Sequence, residues 1–179
     1  MPRPAAAPGR PQEVSPVSVV DDLLARNRQF ASSFSQGGSS ASPRLRLAVV
    51  ACMDARMDVF AILGLEVGDA QVIRNAGGMV SDDVLRSLVV SQWVSGTEEI
   101  VLLHHTDCGM TKFDEGQLTA EVAAHAGGPL RYRLRAFPDP EADLLSSVVG
   151  LRNAPELRHR DRIRGFLYDV KSGGLREVG

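Results

Sequence analysis

Apolar residues along this chain fall into two patterns. Short continuous runs occur at 45–51 (LRLAVVA), around Val72 and Ile73, at Ile100 to Leu103 within 98–104, and at 164–170 (RGFLYDV). Runs of that length suit strands covered on both faces of a parallel sheet. Between them, apolar residues recur at helical spacing. Leu23, Phe30 and Phe34, with Leu24 and Ala31 beside them, form one stripe, and Leu85, Leu88, Val89 and Trp93 form an inward-facing second. Further helices are expected at 114–125 and at 139–153. Ser18, Asp58, Ser81 and Asp139-Pro140 supply N-terminal caps, and Gly64, Gly96 and Gly127-Gly128 supply stops. Ser172-Gly173-Gly174 turns the chain into 175–178, an antiparallel edge strand.

Strands alternating with helices predict an α/β fold: a mainly parallel four-stranded sheet with an antiparallel edge strand, flanked by helices. The proline-rich residues 1–17 read as a flexible N-terminal arm and 18–179 as a single domain. The loop at 36–43 (QGGSSASP) leaves the first helix free to pack on its own domain or on a partner. The segment 130–137 (LRYRLRAF) alternates Arg131, Arg133 and Arg135 with less polar residues, as an exposed extended segment does.

Composition narrows the function. Hydrophobic residues make up 44% and the net charge is −2, so nothing favours a nucleic-acid partner. No apolar run nears the length needed to span a membrane. Two cysteines in a chain of this kind point to a metal site or catalysis in a reducing compartment, the cytoplasm, rather than to a disulfide.

Those cysteines end two of the apolar runs. Cys52 follows 45–51, while His105 and Cys108 follow Ile100 to Leu103 with H-x-x-C spacing. In an open parallel sheet the carboxyl ends of adjacent strands meet at a switch point, which would gather the three. Two thiolates and one imidazole suit tetrahedral zinc, with a fourth position left for water or substrate. His104 should face the opposite side of its strand, and His125 and His159 lie in polar contexts. Asp54 and Arg56 stand just beyond Cys52, where an arginine fork can hold a carboxylate ionised and oriented. Asn75-Ala76-Gly77-Gly78 follows the second strand, and paired glycines let backbone N–H groups approach a ligand.

Cys52-x-Asp54-x-Arg56 followed by His105-x-x-Cys108 resembles the β-class carbonic anhydrases, across most of residues 18–178. The strand ending in Asn75-Ala76-Gly77-Gly78 and the run His104 to Gly109 resemble family segments too. The resemblance is to the compact bacterial and archaeal branch. It implies one Zn2+ per chain on Cys52, His105 and Cys108, with Asp54 and Arg56 as the catalytic pair and Asp54 able to become a fourth ligand in a closed state. The expected substrate pocket includes Asn75, Gly77 and Gly109. The implied reaction is reversible hydration of carbon dioxide to bicarbonate by a zinc-bound hydroxide, in a homodimer or dimer of dimers. Val49 stands where the bicarbonate-regulated branch carries tryptophan, which weighs against that regulation. Two alternatives remain open: hydrolysis of carbonyl sulfide or carbon disulfide on the same site, and a non-catalytic zinc-binding homologue.

Overall fold

The computed structural model describes residues 18–179, and the chain divides into two units, 1–39 and 40–179, each taken by itself. The arm expected at 1–17 lies outside the described residues. In the first unit, α1 (Val19–Ser32) begins where the Ser18 hydroxyl accepts from the Val20 N–H, with Asp21 and Asp22 in the favourable first turn. Leu23 and Phe30 of its stripe, and Phe34 just beyond its end, are exposed. The division falls within the 36–43 loop.

The second unit runs β1 (Leu47–Cys52), α2 (Val59–Leu63), β2 (Ala70–Asn75), α3 (Asp82–Val94), β3 (Glu99–His105), α4 (Glu115–Ala126), α5 (Pro140–Arg152), β4 (Ile163–Tyr168) and β5 (Leu175–Val178). The sheet order is β2-β1-β3-β4-β5, with β5 alone antiparallel. This is the architecture that the alternation predicts. The chain leaves β1 for β2 on one side and returns to β3 on the other. The crevice between the ends of β1 and β3 is therefore the switch point.

Strand alternation sorts the core into two layers. Ala48, Val50, Ile100 and Leu102 pack with Val84 and Leu88 of α3 and Leu144, Val148 and Leu151 of α5. Val49, Ala51 and Leu103 face the other way, against Met57, Val59, Met110 and Phe137. Truncating a fully buried leucine such as Leu88 or Leu102 would cost about 2–5 kcal/mol.

Two details depart from the sequence reading. Trp93 is not on the inward face of α3: it is 53% exposed, and the buried positions are Val84, Leu88, Ser91 and Gln92. The indole N–H donates to the Glu156 carbonyl, and the Arg158 guanidinium lies 3.6 Å from the ring centroid. Its polar edge and cationic neighbour let the ring sit at the surface. Residues 130–137 are largely exposed, as expected, but not extended throughout. Arg135 adopts a left-handed φ of 59°, and its N–H donates to Glu115, while Phe137 is buried against the second layer.

Candidate metal centre

β1 delivers Cys52 to the end of the sheet, and β3 delivers His105 from the adjacent strand. Because successive strand residues point to opposite faces, His104 and His105 separate. His104 turns toward α5, where its Nε2 lies 2.9 Å from Asp143 Oδ2. His105 joins Cys52 and Cys108, the latter carried by a short loop and a 3₁₀ turn at Gly109–Thr111. All three are buried, and their ligand atoms lie within 4.8 Å of one another.

The imidazole is prepared for a metal. His105 Nδ1 lies 2.8 Å from the Thr106 carbonyl, which requires the proton on Nδ1 and leaves the Nε2 lone pair free. Nε2 is buried and has no hydrogen-bond partner among the described residues. An unpartnered buried nitrogen is costly unless something binds it. The Sγ atoms of Cys52 and Cys108 are 4.0 Å apart. The hydrogen bond from Cys108 draws Cys52 below the usual thiol range, with further help from the Asp54 and Gly77 backbone N–H groups. Cys108 is pushed up by the same contact and by burial. The donor set fits Zn2+: two thiolates and a neutral imidazole, with room for a fourth ligand.

Asp54 stands beside this cluster, its Oδ2 3.8 Å from His105 Nε2. Arg56 grips it with a fork, Nε to Oδ1 at 2.9 Å and Nη2 to Oδ2 at 2.8 Å, and the Arg56 backbone N–H adds a third bond to Oδ1. These bonds hold the carboxyl well below the usual carboxylate range. Arg74, to which the sequence reading gave no role, reaches from β2 to the same loop. Its Nε donates to the Cys52 carbonyl at 3.0 Å and its Nη2 to the Asp54 carbonyl at 2.8 Å.

The glycine loop lies against the metal strand. Gly77 and Gly78 both have positive φ. A Cβ on Gly77 would meet Phe137 at 2.9 Å and Met110 at 3.1 Å. Asn75 holds the loop closed: its amide donates to the Met79 carbonyl, and its Oδ1 accepts from the Met79 N–H, both at 2.8 Å. Asn75 is thus engaged with the loop, whereas Gly77 and Gly109 line the cavity at the cluster, with Met53, Ala76 and Met110. That cavity measures about 150 Å³. No helix among the described residues is long and apolar enough to cross a membrane.

Cys52, His105 and Cys108, gathered at the switch point of a parallel sheet, form a cluster of donors that could bind zinc. Comparison with known proteins names the class. The family model described as Carbonic anhydrase matches residues 47–133. The chain is 43% identical to beta-carbonic anhydrase 1 of Mycobacterium tuberculosis over 162 residues, 90% of this chain and 99% of that protein. It is 49% identical to a carbon disulfide hydrolase of Acidithiobacillus thiooxidans over 152 residues, 72% of this chain and 70% of that one. Among solved structures, the carbonic anhydrase of Streptococcus mutans superposes with a TM-score of 0.85 at 37% identity, covering 91% of this chain and 99% of that one. The chain belongs to the β-carbonic anhydrase family, whose members are zinc enzymes.

Proposed function

We propose that this chain interconverts carbon dioxide and bicarbonate with one Zn2+ held by Cys52, His105 and Cys108. The observation that carries the reading is the buried, unpartnered His105 Nε2 facing two thiols, with an arginine-pinned carboxylate alongside. When bound, zinc supplies a nucleophile at neutral pH by lowering the pKa of a coordinated water.

The chain's own residues do the rest. Asp54 is placed to accept a hydrogen bond from the already deprotonated nucleophile and so to orient it toward the substrate. Arg56 keeps Asp54 ionised, so the carboxylate orients that nucleophile rather than taking its proton. Met53, Ala76 and Met110 give the cavity apolar walls that suit a small linear molecule, and the Gly77 and Gly109 backbones complete it. Should Arg56 release its grip, Asp54 is near enough to His105 to become a fourth ligand and close the site. Asn75 serves by holding the glycine loop.

The working form is a homodimer or dimer of dimers in the cytoplasm. The exposed apolar stripe of α1 supports association, and two buried free cysteines suit a reducing compartment. Light scattering on the full chain should return the dimer mass or twice that mass.

The similarity to carbon disulfide hydrolases gives a second reading, attack of the same nucleophile on carbon disulfide or carbonyl sulfide. Coverage favours carbon dioxide: the alignment takes in 99% of the Mycobacterium enzyme but 70% of the hydrolase. Stopped-flow hydration of carbon dioxide by zinc-quantified protein, beside hydrolysis of both sulfur compounds, decides it. Rapid hydration is expected; sulfur-substrate turnover without hydration would overturn the assignment.

A further inference from the structure

We infer that Asp107 is a positioning residue: it fixes Arg56, and through Arg56 the orientation of Asp54, and it latches together the two loops that carry the cysteines. This rests on the zinc-site reading above.

Asp107 lies 51 residues from Arg56 in sequence, in the turn between His105 and Cys108. Arg56 Nη1 donates to its carboxylate at 2.8 Å, and Arg56 Nη2 donates to its backbone carbonyl at 3.1 Å. The guanidinium is therefore held on two sides, by Asp54 on one and by Asp107 on the other. The second carboxylate oxygen of Asp107 is in turn fixed by Lys112 Nζ at 2.5 Å.

A half-exposed ion pair ordinarily contributes little. Three features set this one apart. The contact uses side chain and backbone together, so it defines the direction of the guanidinium as well as its distance. The Asp107 backbone sits at a φ of 57°, a left-handed conformation that is unfavourable for most residues with a side chain and is held here within the metal turn. The contact also joins the loop after β1 to the loop after β3, so the two cysteine-bearing segments are bonded outside the metal cluster. Arg74 holds the backbone of the first loop from β2. Asp107 holds its side-chain pair. Without Asp107, Arg56 keeps Asp54 as a partner but loses its own fixed direction, and the pair can turn together toward His105.

Asp107→Asn is the informative variant, because asparagine tolerates the left-handed backbone and keeps the shape while removing the charge. In zinc-loaded protein, kcat for carbon dioxide hydration should fall about tenfold with KM within about twofold, the scale of losing a partner that orients a metal site. Zinc transfer to a chromogenic chelator should accelerate by about the same factor. In an Arg56→Ala background, the Asp107 substitution should change either quantity less than about twofold. Lys112→Met leaves the turn intact and should shift both readouts the same way by less; if Asp107→Asn does not fold, it decides the matter alone. Wild-type kcat and wild-type zinc transfer in the deciding variant would overturn the role, as would full additivity with Arg56→Ala. Zinc transfer reads the latch even if the wild-type chain proves inactive on carbon dioxide, so the two proposals fail separately.

Discussion

Gly78 sits so close to Cys52 that a Cβ on it would lie 2.9 Å from the Cys52 backbone nitrogen. It would also come within 3.0 Å of the Ala51 carbonyl carbon, so rigid backbone, not a flexible side chain, fills the space. The φ of 68° adds a left-handed penalty of roughly 1–2 kcal/mol for alanine. Gly78→Ala should therefore lower Tm by at least several degrees, at roughly 2–4 °C per kcal/mol for a chain of this size. It should also loosen zinc, because the displaced backbone carries a ligand. Differential scanning fluorimetry with metal analysis tests both; an unchanged Tm would show that the loop moves aside freely.

Metal content checks the ligand assignment directly. Purified protein should hold about one zinc per chain, as a three-ligand site requires. Cys52→Ser, Cys108→Ser and His105→Ala should each lose most of it. His104→Ala should keep its zinc, because that ring is engaged with Asp143 on the opposite side of the strand. Full zinc in any of the first three variants would remove that residue from the ligand set.

The fork between Arg56 and Asp54 predicts that the two residues act as one unit. Asp54→Asn should retain zinc and lose roughly 10²-fold or more in rate, the scale of removing a positioned catalytic group. Arg56→Ala should lose a comparable amount, since it frees Asp54 to swing toward His105. The double variant should fall far short of the product of the two losses. Multiplicative losses in stopped-flow assays would assign the residues separate tasks.

Acid stability should depend on Asp69, a buried carboxylate just ahead of β2. It accepts from the Glu66 N–H at 2.9 Å and from Arg44 Nε at 2.7 Å, and these bonds lower its pKa. A carboxylate depressed by folding binds its proton less readily in the native chain than in the unfolded one. Its stabilisation is thus complete above the unfolded value of about 3.9 and is lost as pH falls through the lower native value. The Tm difference between wild type and Asp69→Asn should be largest near neutral pH and shrink below about pH 4. A constant difference across that range would mean that Asp69 acts through packing alone.

What the sequence disclosed, and what it hid, follows the range of each interaction. The buried strands announce themselves locally: Ile100 to Leu103 is apolar without interruption because both faces of β3 are covered. The gathering of Cys52, His105 and Cys108 was legible because two of them end adjacent strands and the third follows within three residues. Trp93 misled because an apolar letter at helical spacing says nothing of the Glu156 carbonyl or the Arg158 side chain that meet it at the surface. Arg74 went unassigned because its work depends on the register that sets Cys52 opposite Asn75. Asp107 gave one faint signal, an acidic residue able to adopt a left-handed turn between two ligands, but its partner is fixed only once β1 and β3 are adjacent.

The parting of His104 and His105 has a consequence for how this chain can diverge. One imidazole answers to Asp143 and the other to the thiols, and only their parity along β3 decides which is which. Inserting or deleting a single residue just after Glu99 would turn every later side chain of the strand to the opposite face, taking His105 away from the thiols while Ile100 and Leu102 traded layers with Val101 and Leu103. Substitutions among those apolar residues cost only packing. The strand is thus free in its spelling and fixed in its count, and descendants that keep the metal should vary there by replacement, never by a change of one in length.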